Sequence, residues 1–231
     1  MGIASNPGPS KRRQLIAAGI AVLAWFALAL QLYLTIAEPV VSGVSVLGRI
    51  ANYFSFFTIL TNLLVAIALT LFVAFPRIFL GRFFSRPAVQ SAIAVYIAVV
   101  GAIYFLLLRH QWNPQGLGKL ADGLLHDAVP VLYGIYWFVF VPKAQLRWKH
   151  ALLWLIYPVA YMFYTVARGA ATGWYPYPFI DVAVLGYAVA LRNAAGVLVV
   201  FIVAGLLAVA IGRWIERGFA HRRKNGSRIA L

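Results

Sequence analysis

Long apolar runs separated by short polar punctuation recur six times along the chain, at about 14–36, 50–75, 88–108, 122–141, 150–168 and 192–213. A helix needs roughly 20 mostly apolar residues to cross the hydrocarbon of a bilayer. The pattern therefore predicts an all-α polytopic membrane protein, a bundle of six transmembrane helices. These runs use most of the 231 residues. One membrane domain over 14–213 is expected, between a short N-terminus at 1–13 and a tail at 214–231, with no soluble catalytic domain. The opening MGIASNPGPSKR carries Gly, Pro and Ser and reads as disordered. Lys11, Arg12 and Arg13 start the first run as in a signal peptide, but that run is about twice an h-region of 7–15 residues, so it reads as a retained span. No internal repeat or low-complexity tract is evident.

Composition agrees with that reading. Hydrophobic residues make up 63% and charged residues 11% of the chain, with mean hydropathy +0.86, against an apolar share of about 45–50% in soluble domains. The net charge of +15 points to topology and not to nucleic acid, because the basic residues border span ends. Lys11, Arg12 and Arg13, then Arg77, Arg82 and Arg86, then Lys143, Arg147 and Lys149, and finally Arg213, Arg217, Arg222, Arg223, Lys224 and Arg228 mark one side. The positive-inside rule makes that side cytoplasmic, giving both termini inside; the expected location is the cytoplasmic (inner) membrane. The tail HRRKNGSR also suits anionic lipid. Without cysteine there is no disulfide, thiol nucleophile or thiolate metal site.

Of the other ionisable residues, Glu38, Arg109, Asp122, His126, Asp127, Arg168, Asp181 and Arg192 fall on the opposite, outer side. Connections there are unusual. Residues 38–49 are too apolar for a solvated loop. The segment GWYPYPFIDVAVLGY, with Trp174, Tyr175 and Asp181, suits the headgroup level, and Trp112 and Pro114 join the same surface. Together these segments are expected to cover the outer leaflet and to touch a substrate there.

Within the spans, polar groups form three stripes. At about 100° per residue, Ser55, Thr58 and Asn62 of span two lie within roughly 60° of one another, with Asn52 adjoining. Such residues either bond neighbouring helices or build a site, and residue type alone leaves both open. In span four, Asp122 and His126 are stacked four residues apart, with Pro130 and Tyr133 continuing that face. A carboxylate one turn from an imidazole orients it as a general base, and an intramembrane His with carboxylates is a functional-site hypothesis by default. Asp127 points about 100° away. Thr58 is expected about 12 Å and His126 about 8 Å below the outer starts of their spans, at depths that let them meet. His150 and His221 lie on the cytoplasmic side and His110 in a loop. Span five carries Tyr157, Tyr161, Tyr164 and Arg168 at spacings of four, three and four. This stripe either packs, with Arg168 snorkelling, or binds an oxyanion through the Arg fork. Arg109 and Arg192 are further cations at that border. Pro130 and Pro158 bend spans four and five, beside a pocket or merely for packing. One intramembrane His with scattered Asp is not the three-ligand pattern of catalytic zinc. No metal or other cofactor is expected.

The stretches FFTILTNLL in span two, LLHDAVP in span four and YTVARGAATGWYPYPFID at the exit of span five resemble the androgen-induced-gene family of membrane hydrolases, in particular its bacterial six-span Pr-six-Pr branch. The likeness covers spans two to six, and the aromatic-Pro-Phe-acid element is its most specific part. The resemblance implies a threonine-type hydrolase of fatty-acid esters of hydroxy fatty acids, with one Thr and one His inside the membrane. The family's aromatic-Leu-Thr-Phe context matches Phe57-Thr58-Ile59 better than Leu60-Thr61-Asn62, and its histidine matches His126. An acidic residue following the family's Thr is replaced here by Thr61 or Asn62.

The resulting expectation is an intramembrane ester hydrolase. Thr58 is the nucleophile, His126 the base and Asp122 its orienter. Asn62, Ser55, Arg168, Arg109, Tyr164, Trp174, Tyr175 and Asp181 contact the substrate, with Asn62 a candidate oxyanion donor. Membrane lipids and a lipid or fatty-acyl ester are the expected partners. A transporter and a non-catalytic lipid-binding protein are the alternatives. Polar groups crowded on one side speak against the first, because transporters bind near the midplane between repeats. The second gives no reason for a base and a hydroxyl at matched depth.

Overall fold

A computed structural model describes residues 10–37, 43–111 and 113–229, with side chains as far as 218. The N-terminal nine residues, Glu38, Trp112, His221 and the side chains of Arg222, Arg223, Lys224 and Arg228 lie outside these. Among the described residues the fold is helical without strands. Six helices are long and apolar enough to cross a membrane: Lys11–Ala37, Phe57–Ala74, Pro87–Leu108, Gly116–Phe140, Trp148–Thr172 and Val182–Gly218.

The first of these, α1 (Lys11–Ala37), buries Ala17, Ile20, Ala21, Ala24, Ala27 and Leu28, mostly small residues at helical spacing. This face packs on α3 (Phe57–Ala74), where Val65, Ala66, Leu69 and Phe72 are buried. Small side chains let two apolar helices approach closely where lipid supplies no hydrophobic drive. Leu15, Val22 and Phe26 of α1 point outward.

Span two is not one helix. The short α2 (Val46–Tyr53) precedes α3, and the chain turns at 54–56. Ser55 causes part of this. Its Oγ donates to Ala51 O at 2.7 Å, while its N–H goes to Asn52 O and that of Phe56 to Tyr53 O, so the α-helical ladder stops. The depth expected for Thr58 changes accordingly, because Thr58 stands in the first turn of the spanning helix.

After the short α4 (Phe79–Phe84), α5 (Pro87–Ile103) widens into a π-helical turn at Tyr104–Leu108. The fourth span also starts earlier than its apolar run. It comprises α6 (Gly116–Gly123), a π turn at Leu124–Ala128, and α7 (Val129–Phe140). His126 is therefore ten residues from the start, about 15 Å along, not 8 Å. Pro130 explains the π turn, since it offers no N–H to the carbonyl of His126 and its ring crowds that carbonyl. Gly101 on α5 accommodates the bend: a Cβ there would lie 3.2 Å from His126 O and 3.3 Å from Pro130 Cβ.

Span five likewise divides into α8 (Trp148–Leu153) and α9 (Ile156–Thr172). Pro158 frees the carbonyl of Trp154, which accepts the Tyr96 hydroxyl at 2.7 Å. A loop at 173–181, with one 3-10 turn at Pro178–Ile180, leads into α10 (Val182–Ile229). This last helix starts well before 192, kinks at Gly186 (φ 72°) and runs on through 213 into the tail.

One end of the bundle is closed by basic residues. Arg13 donates to Gln90 Oε1 at 2.8 Å and Tyr136 Oη at 3.2 Å and lies over the Phe72 ring, tying α1, α3, α5 and α7 together. Lys143, 3% exposed, donates to the carbonyls of Trp137, Phe138 and Val141 and so caps α7. The other end carries α2, the start of α3, both π turns and the 173–181 loop.

Candidate functional site

The site is built where α3 begins. Asn62, fully buried, donates through Nδ2 to Thr58 O at 2.9 Å and to Leu125 O at 3.1 Å. One amide thus holds the Thr58 turn of α3 against the His126 π turn, which makes spans two and four neighbours. Asn62 Oδ1 is buried without a hydrogen-bond partner among the described residues. With its amide hydrogens directed at two carbonyls, Asn62 is a tie between helices, not a donor into the cleft.

Next to it, Nδ1 of His126 lies 3.1 Å from Asp122 Oδ1 and 3.0 Å from Asp122 O. Two acceptors fix the proton on Nδ1 and leave the lone pair on Nε2. Asp122 Oδ2 accepts the Tyr104 hydroxyl. The Tyr104 ring stacks on His126 with centroids 3.9 Å apart and planes 15° apart. The imidazole is thereby held from its edge and its face. Both residues of this stack belong to π turns, and such turns recur at functional sites.

Thr58 projects from the first turn of α3, 8% exposed. Backbone N–H groups in a helix's first turn lack intrahelical acceptors and carry the positive end of the helix dipole. The N–H of Thr58 donates to the Tyr177 hydroxyl at 3.2 Å, and Thr58 Oγ1 lies 3.5 Å from the same oxygen. Burial pushes the phenol of Tyr177 above its ordinary value, so it stays protonated and keeps a hydrogen to donate. Its ring is steadied by Phe56 and Phe179.

Thr58, Asp122, His126, Trp174 and Tyr177 all line one cleft of about 740 Å³, whose polar wall includes Gln31, Arg49, Asn52 and Gln115. A second, tighter apolar crevice of about 50 Å³ also reaches Thr58. Thr61 lines neither; it is fully buried, 3.4 Å from the Tyr157 hydroxyl.

Several sequence-expected substrate contacts stand elsewhere. Ser55 Oγ is 2.7 Å from Tyr164 Oη, and Ser55 O accepts the Tyr161 hydroxyl at 2.9 Å. Arg168 donates to Asn52 Oδ1 at 2.7 Å and lies over the Trp174 ring. With Thr61 and Tyr157, these pairs run in antiparallel order: the stripe of span five fastens onto that of span two. Arg168 binds protein and does not snorkel. Arg109 pairs with Asp127, half-exposed. The Tyr175 ring lies on Gly169, where a Cβ would come within 2.0 Å of it. Asp181 Oδ1 accepts from the N–H groups of Ala183 and Val184, capping α10.

Sequence reasoning missed Tyr104 and Tyr177. Tyr104 is the lone polar side chain in AIYFLLL just before Arg109, and Tyr177 is flanked by Pro176 and Pro178 in the aromatic segment read only as a headgroup-level belt. Compared with protein-family models, curated proteins and solved structures, the chain matches none.

Proposed function

We propose that this chain is an intramembrane lipid ester hydrolase of the threonine–histidine type implied by its resemblance to the androgen-induced-gene family. The observation that carries the proposal is one cleft lined both by a helix-start threonine and by a histidine whose Nδ1 is occupied by a carboxylate. A Thr hydroxyl is unreactive until a base takes its proton. His126 Nε2 takes it as Thr58 Oγ1 bonds to the ester carbonyl carbon. The carbonyl oxygen becomes an oxyanion at the positive end of α3, where the Tyr177 hydroxyl donates to it. The carbon–alkoxide bond then breaks, and His126 returns the proton to the leaving alcohol. Water, deprotonated by His126, releases the acid and restores Thr58. Asp122 holds the tautomer throughout. Membrane lipids surround the site, and by the positive-inside rule the Arg13 and Lys143 end faces the cytoplasm of an inner membrane.

The test is labelling of the purified protein in detergent with a fluorophosphonate. Labelling is expected in the parent and in Thr61→Ala, and is expected to fall by about 10²–10⁴ in His126→Ala and to vanish in Thr58→Ala. Equal labelling of all four proteins overturns the proposal. A transporter is the second reading, favoured by the helix break at 54–56, since broken helices frame transporter sites. It predicts solute flux in proteoliposomes through an end that Arg13, Gln90, Tyr136 and Lys143 close.

A further inference from the structure

Two cavities of opposite character meet at the Thr58–Tyr177 pair. The apolar crevice is bounded by α5, α9, α10 and the 173–181 loop through Val100, Ile103, Met162, Leu198 and Phe201. Ile103, Met162 and Leu198 are only half-buried, so it opens sideways between the helices toward the hydrocarbon. The 740 Å³ cleft holds the polar wall described above. Thr58, Leu108 and Tyr177 border both; His126 and Asp122 border only the polar cleft.

We infer, resting on the hydrolase reading, that the substrate is an ester of a hydrocarbon acyl chain with a polar alcohol, and that the crevice is the acyl-chain site. The direction follows from proton bookkeeping. The alkoxide must leave on the side of the group that protonates it, and His126 stands in the polar cleft. The alcohol therefore occupies the cleft with Gln31, Asn52 and Gln115. The chain on the carbonyl carbon points the other way, through the Thr58–Tyr177 boundary into the crevice. An apolar wall with a lateral opening suits a chain that never leaves the bilayer, whereas the same chain in the polar cleft would strip water from the side-chain amides of Gln31 and Gln115.

Glycerol monodecanoate, glycerol monoacetate, decyl acetate and decyl decanoate test this on the full-length protein in detergent. Glycerol monodecanoate is expected to be hydrolysed at least tenfold faster, in kcat/KM, than each of the other three. In Leu198→Trp, which fills the crevice, the ratio of decanoate to acetate rates on glycerol is expected to fall at least tenfold. A second filling variant, Met162→Trp, guards against misfolding of the first, with thermal melting as the control. Decyl acetate as the best substrate, or a ratio unchanged in both folded variants, overturns the inference. If none of the four esters is hydrolysed, the hydrolase reading fails separately, and photo-crosslinking with a diazirine-bearing decanoic acid decides the crevice. Adducts at Met162, Leu198 or Phe201 that Leu198→Trp removes support a chain site; adducts confined to the outward faces of the helices refute it.

Discussion

At the scale of single residues, the Asp122–His126 pair is legible because both lie on one helix face at a spacing that local geometry enforces. Tyr104 is not legible, because its contact with Asp122 depends on how α5 and the fourth span pack and on two π turns that no apolar pattern announces. The difference in wiring gives different expected losses. Asp122→Asn keeps the shape but presents an amide to Nδ1, so it favours the wrong tautomer; ester hydrolysis is expected to drop by about 10³–10⁴ in kcat. Tyr104→Phe removes one hydrogen bond to a charged group, worth about 1.5–3 kcal/mol, and keeps the ring on His126. On the proposed mechanism its kcat for ester hydrolysis is expected to fall by about one to two orders of magnitude, because the carboxylate that orients His126 has lost a donor. Asn62 shows the opposite outcome. A buried amide at the expected position turned out to join two helices through carbonyls, since an Asn in hydrocarbon must first satisfy its own hydrogens.

At the scale of elements, the six runs were legible within a few residues for the first and third spans, where apolar residues continue to the helix ends. The second, fourth and sixth were misjudged where a Ser breaks a helix, where polar residues enter one, and where the apolar stretch 182–191, kinked at Gly186, reads as loop. Hydropathy sees neither the Ser55 Oγ bond to Ala51 O nor the extra turns Gly116–Gly123. Close approaches between elements carry their own predictions. At Gly101 an added methyl presses on backbone and a proline ring, neither of which swings aside, so Gly101→Ala is expected to destabilise by about 1–3 kcal/mol, seen as a melting temperature lower by several degrees in detergent. At Gly169 the obstacle is the Tyr175 ring, which anchors the 173–181 loop. Gly169→Ala is expected to push that loop outward and draw Tyr177 from Thr58, cutting fluorophosphonate labelling more than tenfold while melting changes by only a few degrees.

At the scale of the whole molecule, the basic residues that predicted orientation also do mechanical work, since Arg13 and Lys143 bind helix ends in the interior. Burial lowers the ammonium of Lys143 from 10.5 to about 8. Between those values the unfolded chain holds a proton at this position that the folded protein has released, so stability rises with pH across that window. Melts at pH 7.5 to 10 are expected to show this slope in the parent and to lose it in Lys143→Met.

Span five is fastened to span two by hydrogen bonds at four levels, from Thr61–Tyr157 to Asn52–Arg168. Beyond its own cap, α10 makes one side-chain hydrogen bond among the described residues, Asn193 Nδ2 to Phe179 O at 2.9 Å. The α9 flank is therefore fastened to span two by directional bonds, whereas the α10 flank is held by apolar packing on α5 and α8. On the proposed reading, a lipid tail entering the crevice between α5, α9 and α10 would part apolar contacts there and leave the hydrogen bonds between spans two and five intact. Spin labels on α10 and α5 would record a broader distance distribution than labels on α3 and α9, and tethering α10 to α5 by an engineered disulfide would trap whatever tail was already inside.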